Sequence, residues 1–115
     1  MNKNLFETID TTIREERLYA EIDLMRENIM ERFGISRHRL NALLNLNTNG
    51  MTFPQYINEI RIEKAYELLN SHPEMTVAQI ADAVGFRAPN LRHLFKRKYG
   101  ITPSKYKKNL KNNYT

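Results

Sequence analysis

Side chains able to read the edges of nucleic-acid bases gather at two places in this sequence. Arg37, His38, Arg39 and Asn41 lie within one short stretch, and Arg87, Asn90, Arg92, His93 and Lys96 lie within another. Arginine pairs bidentately with guanine and asparagine with adenine, each pair giving about 1 to 3 kcal/mol of discrimination. The competing reading for any one of them is a solvated helix face or a phosphate contact, and this is the favoured reading for Lys96, Arg97 and Lys98. His38 and His93 also fit ordinary surface positions.

Other chemistries find little support. The chain has no Cys, which excludes thiol catalysis, disulfide staples and Cys-based zinc sites. His38, His72 and His93 stand too far apart for a local metal box, so neither a metal nor a cofactor is expected. No nucleophile, base and orienting group converge, and the serines are accounted for by caps and turns, so an enzyme is not expected either.

The 115 residues carry 18 Lys+Arg and 13 Asp+Glu, a formal charge of +5, unevenly placed. Residues 1 to 31 sum to −4, residues 32 to 69 to +2 and residues 70 to 115 to +7, with no acid after Asp82. Such a gradient points the C-terminal part toward a polyanion, the alternative being a solvated basic tail. No apolar run reaches the roughly 18 to 20 residues needed to span a bilayer. Met1 to Asn4 lead straight into an amphipathic pattern without a signal-peptide core, so a soluble, cytoplasmic protein with no membrane contact is expected.

The elements that must position these side chains are all helical, because apolar residues recur at three- and four-residue spacing and no segment alternates like a strand. A first helix is expected from Leu5 to about Glu16, with Leu5, Ile9 and Ile13 on one stripe. A second runs from about Leu24, with Asp23 as N-cap, to Phe33 before Gly34. A third follows Ser36 and carries Leu40, Leu43 and Leu44, with Asn45 to Gly50 as a loop.

Thr52 and Gln55 have capping-box spacing around Pro54, predicting a long helix to about Asn70 with Phe53, Tyr56, Ile57, Ile60, Ala65, Leu68 and Leu69 buried. Thr76 and Gln79 repeat the box ahead of a short helix ending at Gly85, a further helix follows Pro89 to Tyr99, and Thr102-Pro103-Ser104 opens the last. Asn112 to Thr115 should fray. Phe53, Tyr56, Phe86, Phe95 and Tyr106 fall on apolar stripes and read as core.

Residues 80 to 94 repeat residues 29 to 43 at an offset of about 51. Ile80, Val84, Gly85, Phe86, Leu91 and Leu94 fall on Ile29, Phe33, Gly34, Ile35, Leu40 and Leu43; after a one-residue slip, Gly100, Thr102 and Tyr106 fall on Gly50, Thr52 and Tyr56. Each copy has helix-turn-helix spacing. The glycine permits the positive φ of a tight turn, and the later apolar pair pins the second helix so that its outer face can enter a major groove.

At these residues the chain resembles the DNA-binding domain of the AraC/XylS family of bacterial transcription regulators, over residues 18 to 108. The resemblance rests on Gly34-Ile35-Ser36-Arg37 with Leu40, on Phe53, Tyr56, Ile57, Asn58, Arg61, Ile62, Ala65, Leu68 and Leu69, on Val77 to Phe86, and on Phe95-Lys96, Tyr99-Gly100, Pro103-Ser104 and Tyr106. The segment from Leu18 to Leu24 looks most like the version that serves as output module of large membrane sensor-regulators, which implies a fragment of a longer protein. The implied fold is all-α: about seven helices, forming two helix-turn-helix subdomains joined by a long connecting helix.

Three features depart from the family pattern. Met30 replaces a small residue; the second unit is one residue shorter between Gly85-Phe86 and Phe95-Lys96 and lacks a serine near its helix start, leaving the frame of that helix open. Asn41, Asn45 and Asn47 stand where basic residues are common.

The expected division is an N-terminal helix and first unit over 1–51, a connecting helix over 52–70, and a second unit with the C-terminal helix over 71–115. The expected function is sequence-specific binding of double-stranded DNA in transcription regulation, with recognition helices in two successive major-groove segments. Those helices must then lie roughly 34 Å apart, and a connecting helix of roughly 25 Å plus its flanks is near that scale. Thr52, Thr76, Thr102 and Ser104 at helix N-termini, with Arg97, Lys105 and Lys108, are the candidate phosphate contacts. Capping alone would explain Thr52 and Thr76, and Arg61 reads equally as a salt bridge or a phosphate contact. RNA polymerase and a sensor or effector domain outside this chain are the other candidate partners. The alternative is a helical protein-interaction module with weak or vestigial DNA binding.

Overall fold

The computed structural model describes residues 4 to 113. They form seven α-helices: α1 (Leu5–Glu15), α2 (Arg26–Phe33), α3 (Arg37–Asn47), α4 (Phe53–Ser71), α5 (Val77–Val84), α6 (Ala88–Tyr99) and α7 (Pro103–Asn113). A short 3-10 turn, Leu18–Ala20, lies between α1 and α2, and no strand occurs among the described residues. The chain divides into two compact units, one ending at Ile60 and one beginning at Arg61. The division falls inside α4, so the connecting helix contributes its first half to one unit and its second half to the other.

In the first unit Ile9 and Ile13 of α1 are buried, as are Ile29, Leu40, Leu44, Phe53, Tyr56, Ile57 and Ile60. The side chain of Asn4 caps α1, accepting from the Phe6 N–H at 2.7 Å. Arg17, in the left-handed region at φ 56°, turns the chain out of α1. The second helix then starts two residues later than expected. Asp23 does not cap it but sits in a turn closed from Leu24 N–H to Glu21 O, and the Asn28 side chain accepts instead from the Met25 N–H at 2.8 Å. Aspartate is at home in a turn, and an asparagine reaching back satisfies the N–H of the N-cap residue itself, the return half of a capping box.

Ser36 caps α3 through the Arg39 N–H at 3.1 Å. The helix outlasts its expected end: Asn45, Leu46 and Asn47 are helical, and the loop begins only at Thr48. Burial of Leu44 holds that last turn in place, while the Asn47 amide donates to Leu43 O at 2.8 Å and the Thr48 hydroxyl to Leu44 O at 2.6 Å. Asparagine's weak helix propensity is overridden by packing and by satisfied terminal carbonyls.

Helix α4 opens with the expected box: Thr52 N–H donates to Gln55 Oε1 at 3.0 Å, and Gln55 N–H to Thr52 Oγ1 at 3.3 Å. At 19 residues it is about 28 Å long. The expected stripe is buried apart from half-buried Leu68, and Ile62 and Arg61 are buried as well.

In the second unit the buried set includes Ala65, Leu69, Ile80, Val84, Phe86, Leu91 and Phe95. The box at Thr76 and Gln79 is present at 2.9 and 3.1 Å. Helix α6 starts at Ala88, ahead of Pro89 rather than after it, with Arg87 in the N-cap position and no side-chain cap. Thr102 caps α7 through the Lys105 N–H at 3.2 Å. Asn112 and Asn113 are helical instead of frayed, and Tyr114 and Thr115 lie outside the described residues.

Candidate nucleic-acid interface

The turn and the second helix are built alike in the two units. Gly34 and Gly85 end α2 and α5 in the left-handed region, at φ 62° and 86°, where any other residue except asparagine is strained. Ile29 and Ile80 are each 1% exposed, and Leu40 and Leu91 are buried to the same degree. Carried one step further, the offset pairs Leu44 with Phe95, both buried. Helices α3 and α6 therefore start and pack at the same distance after their glycines, which fixes the frame of α6 as that of α3. Met30 is half-buried where its counterpart Ala81 is buried, so the larger side chain sits at the edge of its helix.

With the apolar stripes turned inward, the opposite faces of α3 and α6 are open. Each borders a cleft, and the two clefts are equivalent under the repeat. The first is lined by His38, Asn41, Ala42 and Asn45 of α3, with Arg26 at the start of α2 and Thr52 ahead of α4. The second is lined by Pro89, Arg92, His93 and Lys96 of α6, with Val77 at the start of α5 and Ser104 in the first turn of α7. In both, the exposed helix lies beside two helix N-termini, whose dipoles favour an anion.

Of the expected base-reading residues, His38, Asn41, Arg92, His93 and Lys96 thus share the cleft-facing sides of their helices. Arg37 and Arg39 are exposed on the first turn of α3, on either side of that face. Arg87 precedes α6, and Asn90 is exposed on its first turn. Neither Ala42 nor Asn45 is among the expected base-reading residues: Asn45 falls in the expected loop, and Ala42 has no polar group. The signal was present: the offset of 51 places Asn45 on Lys96 and Ala42 on His93.

Among the phosphate candidates, Thr52, Thr76 and Thr102 use their hydroxyl oxygens as helix caps, and Pro54 has no N–H to offer. Ser104, Lys105, Arg97 and Lys108 are exposed. Arg61, which reads from the sequence as either a salt bridge or a phosphate contact, is buried in the structure. It is 8% exposed, and its guanidinium lies 5.7 Å from the centre of the Phe86 ring, the residue after the turn glycine. Burial pushes its pKa below the ordinary arginine value, although it stays charged at any physiological pH.

Two sets of contacts brace the units. In the first, the Tyr56 hydroxyl donates to Asp10, which also pairs with Arg14 at 3.0 Å, and the Arg32 guanidinium grips both oxygens of Glu16 at 2.7 and 2.5 Å. That grip holds the Glu16 carboxyl below its usual range. In the second, Tyr66, Phe95, Tyr99 and Tyr106 form an aromatic cluster, and the Tyr106 hydroxyl donates to Asn70 at 2.8 Å. Lys107 donates to Met75 O and ties α7 to the loop before α5.

A family model described as a helix-turn-helix domain matches residues 29–109, more than half of the chain. The chain belongs to the AraC-type helix-turn-helix family. This membership makes the matched stretch a DNA-binding domain of the kind carried by transcription regulators. Among AraC-type relatives, the Msm operon regulatory protein of Streptococcus mutans is 30% identical over 87 residues, covering 75% of this chain and 31% of that protein. The HTH-type transcriptional activator RhaS of Escherichia fergusonii is 37% identical over 78 residues, covering 67% and 27%. The chain thus spans less than a third of the length of these curated relatives.

Solved structures agree. The C-terminal domain of the two-component response regulator YesN from Fusobacterium nucleatum matches with a TM-score of 0.77 and 30% identity, covering 91% of this chain and 99% of that one. The C-terminal domain of AraT, a response regulator from Geobacillus stearothermophilus, matches with a TM-score of 0.79 and 26% identity, covering 93% and 86%. No helix among the described residues is long and apolar enough to cross a membrane.

Proposed function

We propose that this AraC-type module binds double-stranded DNA sequence-specifically, placing α3 and α6 in successive major-groove segments to regulate transcription in the cytoplasm. The observation that carries this reading is the duplicated cleft, in which an exposed polar recognition face runs beside two helix N-termini. A major groove is bordered by two phosphate strands, and the flanking N-termini are suited to hold them while side chains between them reach base edges. Arg97, Lys105 and Lys108 in the second unit serve the phosphates in this reading, and Arg37 and Arg39, read from the sequence as base contacts, are reassigned to the phosphates because they flank the cleft-facing side of α3. In the whole protein a sensor or effector domain would govern the module, and RNA polymerase would be the target of the bound regulator.

Selection of bound sequences from random duplexes, followed by footprinting, tests the reading. The expected result is a motif with two half-sites, both protected by one chain. Recovery of no motif, with binding that does not respond to salt, would leave the chain as a helical protein-interaction module.

A further inference from the structure

The two recognition faces are the same in frame and opposite in chemistry. At four of the outward positions beyond the first turn, α3 carries Asn41, Ala42, Asn45 and Leu46, whereas α6 carries Arg92, His93, Lys96 and Arg97 at the equivalent places. The first set is neutral throughout and holds no ionisable group. Leu46 is 81% exposed, the most exposed large apolar side chain of the described residues, and it follows Asn45 on the last turn of the recognition helix. Neither packing nor capping accounts for a leucine there, and its spacing of four from Ala42 gives the two a common side of the helix.

Resting on the duplex-binding reading above, we infer that the first unit reads a half-site made of A·T pairs and the second a half-site containing guanine. Asn41 and Asn45 are the specificity-determining residues of the first. An asparagine amide meets adenine bidentately, donating to N7 and accepting from the N6 amino group, and it has no comparable pairing with guanine, whose O6 and N7 both accept. Ala42 and Leu46 offer apolar surface to thymine methyl groups, which mark A·T pairs in the major groove and which cytosine lacks. In the second unit Arg92 lies in the middle of the cleft face, where its fork fits guanine O6 and N7. The first turns make the contrast sharper. Arg37 and Arg39 flank the reading face of α3 and are available to phosphates, while their equivalents on α6 are Ala88, which has no side-chain donor, and the uncharged Asn90.

The test is motif selection on random duplexes with the 115-residue chain and with Asn41→Ala, Asn45→Ala, Arg92→Ala and Asn41→Arg variants, all exposed positions whose change leaves the cores intact. The expected motif has one half-site of A·T pairs and one containing guanine. Asn41→Ala and Asn45→Ala should each lower preference at A·T positions by about 5- to 150-fold and leave the guanine half-site unaltered. Arg92→Ala should do the reverse, and Asn41→Arg should bring guanine into the first half-site. The salt dependence of binding should be the same for Asn41→Ala and Asn45→Ala as for the unaltered chain, since neither removes a phosphate-neutralising charge. The inference is overturned if a motif is recovered and the asparagine variants leave it unchanged, or if the half-site they degrade contains guanine. Recovery of no motif from the unaltered chain overturns the duplex-binding reading itself.

Discussion

Single side chains in this module divide cleanly into those that hold the fold and those that face outward. Arg61 belongs to the first class despite its charge. Buried against Phe86, it supports the residue that follows the turn glycine and so the start of α6. Arg92 belongs to the second class, lying exposed in the cleft of the second unit. Arg92→Ala should therefore cost about 1 to 3 kcal/mol of discrimination at one base position, whereas Lys105→Ala should weaken all sequences alike. Fluorescence anisotropy on matched and mismatched duplexes distinguishes the two, and an equal loss on every duplex for Arg92→Ala would move that residue to the phosphates. Glu16 gives a prediction of another kind. Its folded pKa is depressed by the Arg32 hydrogen bonds, so the stability it contributes is present above the ordinary glutamate range and is lost as pH falls through the folded value. At pH 7 Glu16→Gln should melt slightly below the unaltered chain, the pair being exposed and hence weak. Thermal melts of the two should converge as pH falls through the depressed folded value of Glu16, and a gap that does not narrow on acidification would contradict the assignment.

At the level of elements, helix starts carry much of the information. Ser36, Thr52, Thr76 and Thr102 all cap as their sequence spacing implies, while α6 begins at Arg87 with no capping side chain. Arg87→Ser should add the missing cap and stabilise the second unit by about 1 kcal/mol, and Thr76→Ala should destabilise it by a similar amount. Urea unfolding followed by circular dichroism checks both; no gain from Arg87→Ser would mean that its N-cap geometry cannot accept the bond. The same locality explains what could be read from the sequence. Caps, glycines and the 51-residue offset are short-range signals, and they located all seven helices and the paired cores. The last turn of α3 was hidden because Asn45 and Asn47 look like loop residues until the burial of Leu44 is known. The Tyr56 to Asp10 and Arg32 to Glu16 contacts join residues far apart in the chain, and nothing local announces them. For the interface, the exposed donors on the two second helices were legible, and the offset marked Asn45, whereas the clefts themselves needed the fold.

Across the whole molecule, the charge gradient becomes a difference between units. The described part of the second unit retains Arg92, Lys96, Arg97, Lys105 and Lys108 exposed, with Asp82 as the last acid of the chain. The first unit carries acids on α1 and in the segment before α2. Binding to duplex DNA should consequently be dominated by phosphate neutralisation, with affinity falling roughly a thousandfold between 50 and 200 mM salt for a site of about six phosphate contacts. A salt titration of a fixed duplex measures the slope directly, and a flat response would place the basic second unit away from the backbone. Replacing Lys105 and Lys108 together by alanine should reduce the slope of log affinity against log salt by up to about 1.8, at about 0.9 per phosphate.

The duplicated design also bears on how such a regulator changes over generations. In both units the inward positions are the ones the repeat preserves, and the outward positions of α3 and α6 are the ones at which the copies have diverged. Because outward changes scarcely touch stability, the proposed two-helix reading implies that mutation can revise one helix's vocabulary while its twin still holds the duplex. Under that reading, a change of target would need no unfolded or unbound intermediate.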